Sequence, residues 1–163
     1  MVSHPPLVRR SAEEQTRLDT LLVRVFEENI PFHRHLGFKV ESFSADSARI
    51  GLLLKPEIIG NVGHKRLHGG VIATILDAAG GFAISAAMAE KHCDETAEQI
   101  GARLTRIGTI DLRVDYLRQG QGEHFVATGR VLRLGGRIAS TQMTLENDAG
   151  ELIATGAAAY VVS

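Results

Sequence analysis

One cysteine, Cys93, and no tryptophan occur in the 163 residues. A lone thiol excludes an internal disulfide framework and leaves nothing from which to build a cysteine metal site. Aromatic residues amount to 5% of the chain while glycine numbers 17, so close packing here has to come from small side chains. Neither charge dominates: 18 Lys and Arg face 19 Asp and Glu, for a net charge of −1. That balance argues against nucleic acid or an anionic membrane surface as the main partner. No continuous apolar stretch follows Met1-Val2-Ser3-His4-Pro5-Pro6, so no signal peptide is expected and the reducing cytoplasm is the expected compartment.

What is present is a globular composition, 44% apolar and 23% charged, at a length that suits one domain. Residues 1–163 are expected to form a single unit, with a tail and helix over 1–30, a core over 31–163 and an insertion at about 90–106. One long apolar run exists. From Val71 to Ala89 the only charge is Asp77, and the run is long enough to span a membrane. It is rich in alanine and carries Gly80-Gly81 in its middle, which reads as a helix buried inside a protein on nearly every side. No membrane span is expected.

Local patterns supply the rest. Ser11 and Glu14 have the spacing of a capping box, and Leu18, Leu21, Leu22, Val25 and Phe26 form one stripe, predicting a helix from Ser11 to about Asn29 stopped by Pro31. Short strands are expected over Phe38–Ser42 and Ala48–Leu54, and a loop over Gly60–Gly70. Asp94 is a candidate cap for a short helix containing Ala97, Ile100 and Leu104. Thr109–Arg118 alternates strictly, and turn signals at Gln119–Gly122, Gly135-Gly136 and Asn147–Gly150 predict a four-strand antiparallel meander to the end of the chain. The class is α+β, with a sheet packed on the central helix.

The pattern Asn61-x6-His68-Gly69-Gly70-x6-Asp77, with the block GTIDLRVDYLR from Gly108 to Arg118, resembles the hotdog-fold thioesterases of the PaaI type. With the charged insertion ending Arg103-Leu104-Thr105-Arg106, it resembles the YigI-like acyl-CoA thioesterases in particular. The resemblance implies a curved antiparallel sheet wrapped around a long central helix, here with an extra N-terminal helix. It implies hydrolysis of medium- to long-chain acyl-CoA without a cofactor, in a homodimer or a homotetramer built as a dimer of dimers. Asp77 is then the general base or nucleophile, Thr109 helps to hold the attacking water, and Asn61 positions water or carbonyl.

The chemistry of these positions also stands without the resemblance. Gly69 and Gly70 lie at a helix start, where the first amides lack intrahelical acceptors and favour negative charge, as an oxyanion hole requires. Asp77 lies two turns on, on the same face but about 10 Å farther along. One helix cannot bring both groups to one carbonyl; two antiparallel copies can. Beyond these, His68 is expected to orient the loop; the arginines of the second half read as a solvated sheet face, with Arg137, beside Lys65 and Arg66, a candidate contact for coenzyme A phosphates. His64 and His68, and likewise His33 and His35, lack the supporting carboxylate of a metal site, so no metal is expected. No G-x-S-x-G is present and Cys93 has no partners for nucleophilic chemistry. Rival readings are an aryl-CoA thioesterase (phenylacetyl or hydroxybenzoyl) and a non-catalytic acyl-CoA-binding regulatory domain.

Overall fold

A computed structural model describes residues 9–163; the Met1–Pro6 segment lies outside the described residues. Helix α1 (Ala12–Arg24) begins where the Ser11 hydroxyl accepts the Glu14 amide at 3.1 Å. Glu14 does not complete the box. Its carboxylate accepts the Ala97 amide at 2.6 Å instead, tying α1 to a second helix 83 residues away. One π-helical turn, Val25–Asn29, follows. The helix stops at Asn29 ahead of Pro31, as expected, with Ile30 extended, and Pro31 itself opens a new one. It is the first residue of α2 (Pro31–Leu36), where its missing N–H has no helical acceptor to lose. Gly37, at φ 82°, closes α2 in the left-handed conformation.

Strands β1 (Lys39–Phe43) and β2 (Ser47–Leu53) form a hairpin. The segment expected as a loop holds a small ribbon, β3 (Ile59–Asn61) with β4 (Arg66–Leu67), around a 3₁₀ turn at Val62–His64. The central helix α3 runs from Gly69 to Lys91. The insertion forms α4 (Ala97–Leu104), whose start is set by a complete capping box between Thr96 and Gln99. Asp94 is therefore not the cap, because Thr96 lies next to the first helical residue and Asp94 does not.

The main sheet has six strands in the order β1-β2-β6-β7-β8-β5. Strands β6 (His124–Leu134), β7 (Ile138–Asn147) and β8 (Leu152–Val161) make the expected meander. Strand β5 (Gly108–Tyr116) departs from it: β5 pairs with β8 and not with its successor β6. Gln119–Gly122 is thus no hairpin turn. It belongs to a crossing connection in which the Gly120 carbonyl accepts the Leu67 amide at 2.8 Å. Alternation along β5 fixed its faces, but it carries no information about which strand lies beside it.

α3 is long and apolar enough to cross a membrane, yet 67% of its most apolar window is buried inside the molecule. It is the core helix of the sheet. Ile75, Leu76, Ala79, Ala83 and Ile84 are fully buried on it, against Ile50, Ala127, Met143, Leu145 and Ala154 of the strands. The small residues are what let it sit so close. A Cβ on Gly129 would overlap the Ala79 carbonyl oxygen, and one on Gly80 would lie 2.6 Å from the Tyr160 hydroxyl. The other side of α3 is covered by α1 and α4, through Leu18, Leu22, Phe26, Ala97 and Ile100.

Candidate active site

Halfway along the exposed-sheet end of α3, Asp77 meets the last and first strands of the C-terminal half. Thr109, at the start of β5, donates from Oγ1 to Asp77 Oδ1 at 3.0 Å. Tyr160, on β8 and 2% exposed, donates from its hydroxyl to the same Oδ1 and to the Asp77 carbonyl, each at 3.0 Å. Burial first, then the Asp77 charge and hydrogen bond, pushes the Tyr160 phenol well above its ordinary value of 10.0. The phenol is therefore a permanent donor. With both donors on Oδ1, Oδ2 has no partner among the described residues. Nor is Oδ2 sealed away, since the only buried side-chain polar atom lacking a partner there is Arg66 Nε.

Asp77 lines an apolar cavity of about 240 Å³. Ala78, Gly81 and Phe82 of α3 form its floor, Leu22, Phe26 and Ile30 one wall, and Leu104 and Ile107 the far end. The N-terminal helix and the charged insertion are thus walls of this cavity. The cavity lies within one chain, between α1 and α3.

At the start of α3 a different arrangement holds. His68 is the N-cap, and its Nδ1 accepts the Gly70 amide at 2.9 Å. Val71 and Ile72 both donate to the His68 carbonyl, at 2.9 and 3.1 Å. Among the described residues, the first-turn amide left without an acceptor is that of Gly69. The Tyr116 hydroxyl donates to the Gly69 carbonyl at 2.9 Å, and its ring carbons stand 3.5 Å or more from where a Gly69 Cβ would be. This ties the end of β5 to the start of α3, as Thr109 ties the start of β5 to the middle of α3. Gly69 and Asp77 are not brought together: eight residues of helix separate them by about 12 Å.

The other candidates scatter. Asn61 is exposed and its Oδ1 accepts the His64 amide at 3.2 Å, capping the local 3₁₀ turn at the α3 N-terminal end. Lys65, at φ 49°, and half-buried Arg66 stand in the same ribbon. Arg137 lies at the opposite end of α3, in the hairpin whose Gly135 carbonyl accepts from Lys91 at 3.4 Å. It does not meet Lys65 and Arg66 within one chain. No group of three or more His, Cys, Asp or Glu side chains clusters for a metal among the described residues.

Residues 64–154 match the thioesterase superfamily. The medium/long-chain acyl-CoA thioesterase YigI of Escherichia coli K12 is 39% identical over 142 residues, covering 87% of this chain and 92% of that protein. The chain belongs to the thioesterase superfamily. A crystal structure of a thioesterase-superfamily protein from Shewanella oneidensis superposes with a TM-score of 0.86 at 39% identity, over 94% of this chain and 100% of that one. Zebrafish thioesterase superfamily member 2 superposes at 0.70 with 24% identity, over 90% and 98% of the two chains, and shares the fold. These structures establish the hotdog architecture expected from the helix and the six-stranded sheet.

Against that superfamily background, two tyrosines stand out that the sequence reading passed over. Tyr116 was read only as one apolar position of an alternating strand, and Tyr160 not at all. An inward aromatic hydroxyl on a strand facing a helix with a lone carboxylate is a usable signal, because a buried phenol needs a partner.

Proposed function

We propose that the protein hydrolyses acyl-CoA thioesters, of the medium- to long-chain fatty class, to the free acid and CoA, in the cytoplasm and without a cofactor. Residues 1–163 work as one unit. The observation that carries this is Asp77: one carboxylate oxygen is fixed by two hydroxyls, and the other has no partner among the described residues where Asp77 lines an apolar cavity. Oδ2 takes the proton of a water that attacks the thioester carbonyl. Alternatively it attacks the carbonyl directly, CoA leaves as the thiolate, and a water then cleaves the acyl–Asp77 anhydride to free acid, the Asp77 carboxylate and a proton. The negative charge that develops on the carbonyl oxygen needs a donor, and the unengaged Gly69 amide at a helix N-terminus is suited to it. The leaving thiolate then takes up the proton.

Because Gly69 and Asp77 of one chain are too far apart, the reading requires a homodimer. Strand β5 supports one. It is an edge strand with Ile110 56% and Tyr116 54% exposed, a surface that invites pairing. A two-fold axis at Leu112 would set Asp111 against Arg113 of the other copy, twice over, and bring Thr109 opposite the other copy's Asp115, one residue from its Tyr116. Since Thr109 holds Asp77 and Tyr116 holds Gly69, Asp77 of each copy then approaches Gly69 of its mate. The antiparallel helices also carry Arg137 toward the other copy's Lys65 and Arg66, where the three serve the CoA phosphates. His68, Gly70 and Asn61 shape the helix entrance.

The test is release of CoA thiol from acyl-CoAs of increasing chain length by the wild type and by Asp77→Ala. Activity lost in a still-dimeric variant is the expected result. Tight binding of the ester with no turnover by the wild type would sink the hydrolase reading in favour of a sensor. The shared site has its own test. Asp77→Ala mixed with Gly69→Pro should regain about a quarter of wild-type activity, because half the dimers are mixed and each has one intact site. No regain on subunit exchange would exclude it.

A further inference from the structure

The cavity is apolar in most of its lining, but four neutral polar side chains reach it: His33, Ser85, Thr109 and Tyr160. Each already has its proton engaged. Thr109 and Tyr160 donate to Asp77. Ser85 donates to the Gly81 carbonyl at 2.9 Å. His33 Nδ1 lies 3.1 Å from the Phe26 carbonyl, and a carbonyl only accepts, so Nδ1 carries the ring proton. The charged member, Asp77, is an acceptor as well. The cavity wall therefore offers several acceptors and no free side-chain donor among the described residues.

Thr109 and Tyr160 are spent on Asp77, whereas His33 lines the cavity without a hydrogen bond to Asp77. Its ring is fixed between Phe26, at 4.4 Å between centroids, and Phe38, at 5.3 Å. Burial holds the imidazole below its ordinary value of 6.5, against the smaller upward pull of the Phe26 carbonyl and the Asp77 charge. Neutral, with Nδ1 protonated, the ring presents a bare Nε2. That atom has no partner and is not sealed in protein. An apolar chain passing it would strip its water and return nothing, whereas a donor on the chain would satisfy it.

We infer that the acyl cavity selects chains bearing a hydroxyl group, held by His33 Nε2, with Ser85 of the same lining as a second acceptor. A keto group at the same place would set acceptor against acceptor, and a carboxylate would also face Asp77. The inference rests on the thioesterase reading and narrows its substrate.

The experiment compares kcat/KM for decanoyl-CoA, 3-oxodecanoyl-CoA and the 2-, 3- and 5-hydroxydecanoyl-CoAs. It uses the wild type, His33→Asn and His33→Phe. Asparagine keeps a donor where Nδ1 stood and removes the far acceptor; phenylalanine keeps the ring packing and removes both. The wild type should prefer at least one hydroxyacyl ester over the plain and oxo esters by about tenfold, the worth of one satisfied hydrogen bond. Both variants should lose that preference while keeping decanoyl-CoA turnover. A wild type that treats all five esters alike, or a preference that survives in both variants, overturns the inference. A wild type that hydrolyses none of them overturns the thioesterase reading itself, and would be recognised by that.

Discussion

At Gly69 the central helix offers a donor with nothing bound to it; eight residues on, at Asp77, it offers a carboxylate oxygen with nothing bound to it. The two places are built by opposite means. The amides of the Gly69 end are set by neighbours in sequence: His68 takes the Gly70 amide and the next two amides fold back on the His68 carbonyl, while the distant Tyr116 holds only the Gly69 carbonyl. The Asp77 end is made by residues 32 and 83 positions away, Thr109 and Tyr160. In both, the surrounding bonds matter less for what they hold than for the one atom they leave open. The first end depends on helix-end physics and the second on tertiary packing, so the two respond differently to substitution.

Loss of the carboxylate is the largest expected effect. Asp77→Asn keeps an acceptor for both hydroxyls and removes the base, and kcat should fall by about 10²- to 10⁴-fold. The melting temperature should hold within a few degrees. A large destabilisation instead would mean that Asp77 is primarily a structural anchor. Next comes Gly69→Pro, which deletes the open amide at a position where proline suits a helix. A fall of about 10²- to 10³-fold in kcat with the helix intact is expected, and unchanged turnover would remove this end from the chemistry. Tyr160→Phe leaves Thr109 alone on Oδ1 and frees the carboxylate to swing. It should lower kcat about tenfold with little change in KM, as measured by steady-state kinetics.

Smaller effects separate the ends further. His68→Ala removes a helix cap and should cost about 1 kcal/mol in a denaturant titration, with turnover changed only modestly. The smallest is a pH effect at the Asp77 end. His33 is held below its ordinary value by burial, so the unfolded chain takes up a proton that the folded chain resists. Stability is therefore fully present above about pH 6.5 and declines as pH falls below it. Melting between pH 7.5 and 5.5 should show a shallower decline in His33→Asn than in the wild type.

The contrast also explains what the sequence made legible. The Gly69 end could be read directly, because caps, glycines and helix amides obey local rules. So could α3, the strand faces of β5 and the meander of β6 to β8. The Asp77 residue itself was legible as a lone charge in an apolar helix, but its surroundings were not. Thr109 joins Tyr160 on it only because β5 lies beside β8, and alternation in β5 is equally consistent with a place beside β6. The same limit hid the Glu14–Ala97 contact, since the S-x-x-E spacing does not reveal that a more distant amide competes for the carboxylate. Pro31 marked the end of the first helix correctly but hid α2, because a proline that cannot continue one helix is well suited to begin the next.

The close seat of α3 on its sheet has a further consequence for how such a protein can diversify. Toward the strands there is no slack, since even a methyl group at Gly129 would collide with the Ala79 backbone. Toward α1 the cavity is bounded by side chains such as Leu21, Leu22, Val25 and Phe26, so its width is set by side-chain size and not by backbone approach. New substrate ranges are thus open to inheritance through the N-terminal helix, while the sheet-facing side of the helix stays under lasting purifying constraint.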